Sequence, residues 1–111
     1  MQDEVNHITS PDTLRPLVMR SLRRSSVRKK IAEYLYDISP SGSYTSDIAY
    51  NVKTTPTNVI GAMRGMESRY RDDESLLGLK LVELIQGGKN VKIYKLTDFG
   101  KEIVQSMRER R

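Results

Sequence analysis

At 111 residues the chain has the length of one domain with a modest core. No run approaches the roughly 20 apolar residues of a membrane span. Cysteine is absent and the one histidine, His7, lies in a polar N-terminal stretch, which excludes disulfides and argues against a metal site. The formal net charge of +5 and the pI of about 9.6 point instead to an anionic partner, with nucleic acid foremost.

In chain order, residues 1 to about 12 are polar and interrupted by Ser10-Pro11, the pattern of a disordered tail. Met1-Gln2-Asp3-Glu4 is acidic and unlike a signal peptide, so a cytoplasmic protein with no membrane partner is expected. Leu14, Leu17, Val18 and Leu22 then recur at helical spacing, with Pro16 read as part of the first turn. This divides the chain into a tail with a short helix over 1–24 and a folded domain over 25–111.

Ser25 or Ser26 can cap the first firm helix, whose apolar stripe is Val27, Ile31, Leu35 and Ile38. Pro40-Ser41-Gly42 ends it, and Ser43-Tyr44 is expected as a brief strand. Thr45 or Ser46 is expected to cap a second helix that buries Ile48, Ala49 and Val52. Thr55-Pro56 starts a third, with Thr55 as cap and Pro56 presetting the first helical φ. Its apolar face, Val59, Ile60, Met63, Met66 and Tyr70, extends the expected helix over 56–70. After a polar connector, Arg71 to Ser75, two β-rich runs (Leu79 to Gln86 and Val91 to Leu96) flank a Gly87-Gly88-Lys89-Asn90 turn. Both strand faces are partly apolar, so something must cover the second one: the Leu14 to Leu22 segment, the last helix, or another subunit. Asp98 can cap a last helix with Phe99, Ile103, Val104 and Met107 on one face.

Three helices, a Gly-Gly wing turn and the ending Tyr94-x-Leu96-Thr97-x-x-Gly100 together resemble the winged helix-turn-helix superfamily. The Leu81-Val82-Glu83 lead into the wing is similar to a sequence common there, and Arg23 to Tyr70 resembles small archaeal transcriptional regulators. Two departures concern the strand register. The connector before Leu79 is long, and Lys80 stands where the superfamily commonly has glycine. The resemblance implies an α+β, mostly helical winged helix: a three-helix core, a two- or three-stranded antiparallel wing sheet and a C-terminal helix. It also implies binding to double-stranded DNA, often as a homodimer.

On that reading the third helix enters the major groove. Thr57, Asn58, Gly61 and Arg64 share one face, where Asn can pair with adenine and Arg with guanine. Lys53 and Thr55 lie at the start of that helix, Lys89 and Lys92 on the wing, and Arg28 opens the first helix against its dipole preference, which invites an external anion. The competing readings are a solvated helix face, a lysine-guarded edge strand, and a charge run with no partner. No catalytic constellation or cofactor-binding motif emerges, so an enzyme is not expected. The alternatives are a winged-helix module that binds a protein partner and a non-specific nucleic-acid binder.

Overall fold

The computed structural model describes residues 11–65 and 74–110. Helix α1 spans Pro11–Arg24 and begins at the proline itself, whose missing N–H would have had no helical partner. Pro16 therefore lies inside the helix rather than in its first turn. Val18 and Leu22 are buried in the same cluster as the other helices, so the core reaches past the boundary expected at residue 25.

Helix α2 spans Ser26–Ile38, and Ser25 caps it by accepting the Arg28 N–H at 3.2 Å. Its buried stripe of Ile31, Ala32 and Leu35 forms the centre on which the other helices pack. Strand β1, Ser43–Tyr44, leads directly into helix α3, Thr45–Val52. Neither Thr45 nor Ser46 caps α3; Tyr44 occupies the N-cap position without a side-chain hydrogen bond. The paired strand fixes the chain direction there, and α3 starts one residue before a hydroxyl could reach its first free N–H groups.

Helix α4 spans Pro56–Arg64, with Thr55 Oγ1 accepting the Asn58 N–H at 3.1 Å. It closes at Gly65, whose φ of 87° favours glycine. The expected continuation through Met66 and Tyr70 falls outside the described residues. The chain is described again from Glu74, where Leu76 and Leu77 donate N–H groups to the Ala62 and Met63 carbonyls at 3.0 Å, satisfying two acceptors at the end of α4.

Strand β2 is Val82–Gln86 and β3 is Lys92–Leu96, shorter at their starts than the apolar runs suggested. Lys80 adopts φ 64°, so Leu79 and Leu81 turn into the core, with Lys80 exposed between them, instead of extending the strand. The sheet order is β1-β3-β2, all antiparallel, with Ser43 opposite Tyr94 and Val82 opposite Leu96. Val82, Tyr94 and Leu96 face the helices and are buried. Ile85, opposite Ile93, stays 40% exposed, so among the described residues the second sheet face is not fully covered.

Helix α5, Asp98–Glu109, buries Ile103 and Val104. Its cap is Thr97 rather than Asp98: Thr97 Oγ1 accepts the Gly100 N–H at 2.9 Å and donates toward the Lys80 carbonyl at 2.7 Å. The Thr-x-x-Gly pattern thus fastens the end of the sheet to the start of α5. Gly100 has to be small, since a Cβ there would run into the Leu81 carbonyl and the Leu96 side chain.

Candidate nucleic-acid interface

Between α3 and α4 the chain makes a tight turn. Lys53 takes the left-handed conformation, φ 61° and ψ 53°, and Thr54 N–H reaches back to the Ala49 carbonyl at 2.9 Å. Thr55 then caps α4, and Asn58 Nδ2 donates to Thr54 Oγ1 at 2.9 Å. This small network sets the angle between the two helices before any ligand is present.

The candidate residues on α4 separate into two groups. Thr57 and Arg64 are exposed. Asn58 is half-buried and spends one amide hydrogen on Thr54, so part of its hydrogen-bonding capacity braces the turn. Gly61 is buried beside Val59, Ala62 and Met63. It therefore lies in the packed part of the helix, next to the point where Leu76 and Leu77 dock, rather than on the open face suggested by its spacing.

The wing folds through a five-residue loop. Gly87 N–H donates to the Val91 carbonyl at 2.9 Å, while Gly88 at φ 129° and Asn90 at φ 64° supply the left-handed positions. Lys89 and Lys92 project from it, exposed. Lys95 is half-buried, opposite Glu83 in register but without an ion pair to it. Lys53, Arg64, Lys89 and Lys92 have no ion pair among the described residues.

Wing and helix-turn-helix meet at a cleft of about 520 Å³ lined by Tyr44, Thr45, Ser46, Pro56, Asn90, Val91 and Lys92. It brings together the starts of α3 and α4 and a wing lysine. Tyr44, Ser46 and Asn90, expected only as strand, cap and turn residues, line it, and Tyr50 stands 83% exposed on α3. A signal for Tyr50 was present: with Ile48, Ala49 and Val52 buried, position 50 has to point outward.

Arg28 does not belong to this surface. It is 4% exposed, donates from Nε and Nη2 to the Ser21 carbonyl at 3.3 and 3.2 Å, and lies 3.7 Å from Glu74. Buried against α1 in this way, it is turned away from any external phosphate. Its position near the start of α2 is explained by a carboxylate 46 positions further along the chain.

A family model described as EarA-like matches residues 18–107. The chain belongs to the EarA-like family. The uncharacterized protein MJ0905 of Methanocaldococcus jannaschii is 47% identical over 94 residues, covering 85% of this chain and 84% of that one. Among solved structures, MepR, a transcription regulator of the Staphylococcus aureus multidrug efflux pump MepA, superposes with a TM-score of 0.63. It has 17% identity over 96% of this chain and 70% of its own. The S. aureus MepR–DNA complex gives a TM-score of 0.64 at 19% identity, over 85% and 72%. At that identity the likeness establishes the fold: this EarA-like chain is a winged helix, as its motif order led us to expect. Among the described residues no helix is long and apolar enough to cross a membrane.

Proposed function

We propose that this chain is a regulator of transcription that binds double-stranded DNA. Helix α4 enters the major groove, with Arg64 and Thr57 at the base edges, Asn58 beside them, and Thr55 and Lys53 at the helix start. Lys89 and Lys92 follow the flanking phosphates. The observation that carries this reading is a set of cations, Lys53, Arg64, Lys89 and Lys92, that have no ion pair among the described residues and are borne by the helix-turn-helix and the wing of one fold. Among the fold's neighbours is the S. aureus MepR–DNA complex.

The protein works in the cytoplasm and has no enzymatic role. It acts as a homodimer through α5 and the adjoining face of α1, where Leu17 is 41% exposed. Two-fold symmetry then requires half-sites about one helical turn apart.

Fluorescence anisotropy against a pool of duplexes, including the DNA upstream of its own gene, tests this at several salt concentrations. Selective binding that survives physiological salt supports the regulator. Weak, equal binding that vanishes with salt leaves only counterion release and turns attention to the protein-partner reading, with the exposed Ile85 face as its surface.

A further inference from the structure

A second concave surface lies away from the helix-turn-helix turn, where the end of α1, the start of α2 and the end of α5 converge. It is a groove of about 510 Å³, within the roughly 300–1,000 Å³ range of small-molecule sites. Met19, Leu22 and Met107 form its apolar floor, and Arg23, Lys29 and Arg110 stand around it. Among the described residues no carboxylate lines it.

The charge pattern of the neighbouring residues gives the groove its meaning. Other arginines on these same helices are matched with acids: Arg15 with Glu102, Arg20, Arg24 and Arg28 with Glu74, and Arg108 with Asp37. The three cations of the groove have no ion pair among the described residues. A nucleic-acid backbone would satisfy the charges but has no use for the thioether and leucine floor. An uncharged apolar compound would fill the floor and leave the cations unused. The flexible methionines suit a floor that adapts to an acyl chain or a ring.

We infer that this groove is a binding site for a small soluble amphiphile, an acyl chain or aromatic ring bearing one carboxylate or sulfonate. The apolar body lies on Met19, Leu22 and Met107, and the acid group sits between Arg23 and Lys29, with Arg110 closing the rim. This site is independent of whether the chain binds DNA, and it requires a dimer seam that leaves the ends of α1 and α5 open.

The test is a fluorescence titration of the full chain with 1-anilinonaphthalene-8-sulfonate, followed by displacement with decanoate, 1-decanol, inorganic phosphate or duplex DNA. The expected result is one saturable site per chain, displaced by decanoate and not by phosphate or DNA, with 1-decanol far weaker. In R23Q/K29Q the affinity should fall about tenfold, the size expected from losing two charge-assisted contacts. R110Q should show a smaller fall. Arg23 and Arg110 are exposed and Lys29 half-buried, so both variants should keep the native unfolding midpoint. Non-saturating binding, or equal affinity in R23Q/K29Q, overturns the inference. So does displacement by DNA, or binding that disappears as the chain self-associates, which would assign the groove to nucleic acid or to a second copy.

Discussion

Two basic regions of this molecule look alike in sequence and behave differently in the fold. The stretch from Arg15 to Lys30 carries seven cations and no acid, the densest positive run in the chain. The helix-turn-helix and wing offer fewer, Lys53, Arg64, Lys89 and Lys92. Yet four of the seven are engaged by acids far along the chain. Glu74, its side chain only 12% exposed, sits within 4.0 Å of Arg20, Arg24 and Arg28, while Glu102 takes Arg15. Among the described residues the four cations of the sparser region have no ion pair. A run of like charge along the chain is therefore a poor guide to electrostatic surface, because the compensating acids can be dozens of residues away.

Breaking the Glu74 centre gives the largest expected effect. Arg28→Ala leaves a nearly buried carboxylate with only its two outer partners and the Ser21 carbonyl without its donor, and should cost about 3 kcal/mol of stability. Urea unfolding measures it. DNA binding by the folded fraction, and its salt slope, should stay as in the parent. A lost unit of salt slope with stability intact would put Arg28 back among phosphate-binding residues and erase the contrast.

Arg64→Ala should behave in the opposite way. The side chain is exposed at the end of α4, so the unfolding midpoint should barely move. Affinity for a specific duplex should fall by about 1–3 kcal/mol, roughly fivefold to 150-fold, with specificity relaxed at one base pair. Anisotropy titration against matched and mutated duplexes separates these outcomes. Unchanged affinity would favour the reading as a protein-binding module.

Lys89→Ala and Lys92→Ala test the wing. Each should weaken binding to all duplexes evenly and lower the slope of log affinity against log salt by about one. An altered sequence preference instead would mean that the wing reads bases rather than phosphates.

Much of the fold was legible because its signals are local. Thr55-Pro56 announced α4, Ser43-Tyr44 the third strand and Gly87-Gly88 the wing turn. Each depends on residues within about one helical turn of one another, where side chain and backbone constrain each other directly. What escaped the reading depends on distant partners or on backbone conformation. Arg28 was assigned to an external anion because Glu74 is invisible as its neighbour in sequence. Helical spacing put Gly61 outward, with relief of helix–helix crowding as its other reading, and the fold buries it beside Val59, Ala62 and Met63. The expected strand start at Leu79 failed because Lys80 adopts a left-handed conformation that apolar pattern alone does not reveal.

The smallest effect is also the sharpest comparison, because it uses the same backbone conformation in two places. Lys53 and Lys80 both have positive φ, 61° and 64°, where a side chain costs energy that glycine avoids. Part of that gain is offset by the greater freedom glycine gives the unfolded chain, so each Lys→Gly should stabilise by only about 0.5–1 kcal/mol. Thermal unfolding should show the same small rise for both. DNA affinity should distinguish them: Lys53→Gly removes a cation beside α4 and should lose affinity and about one unit of salt slope, whereas Lys80→Gly should lose neither. Lysine at position 53 would then be a residue whose backbone cost is offset by its charge at the interface. Equal affinity in the two variants would remove Lys53 from the proposed site and leave both lysines as strained turn residues of the same kind.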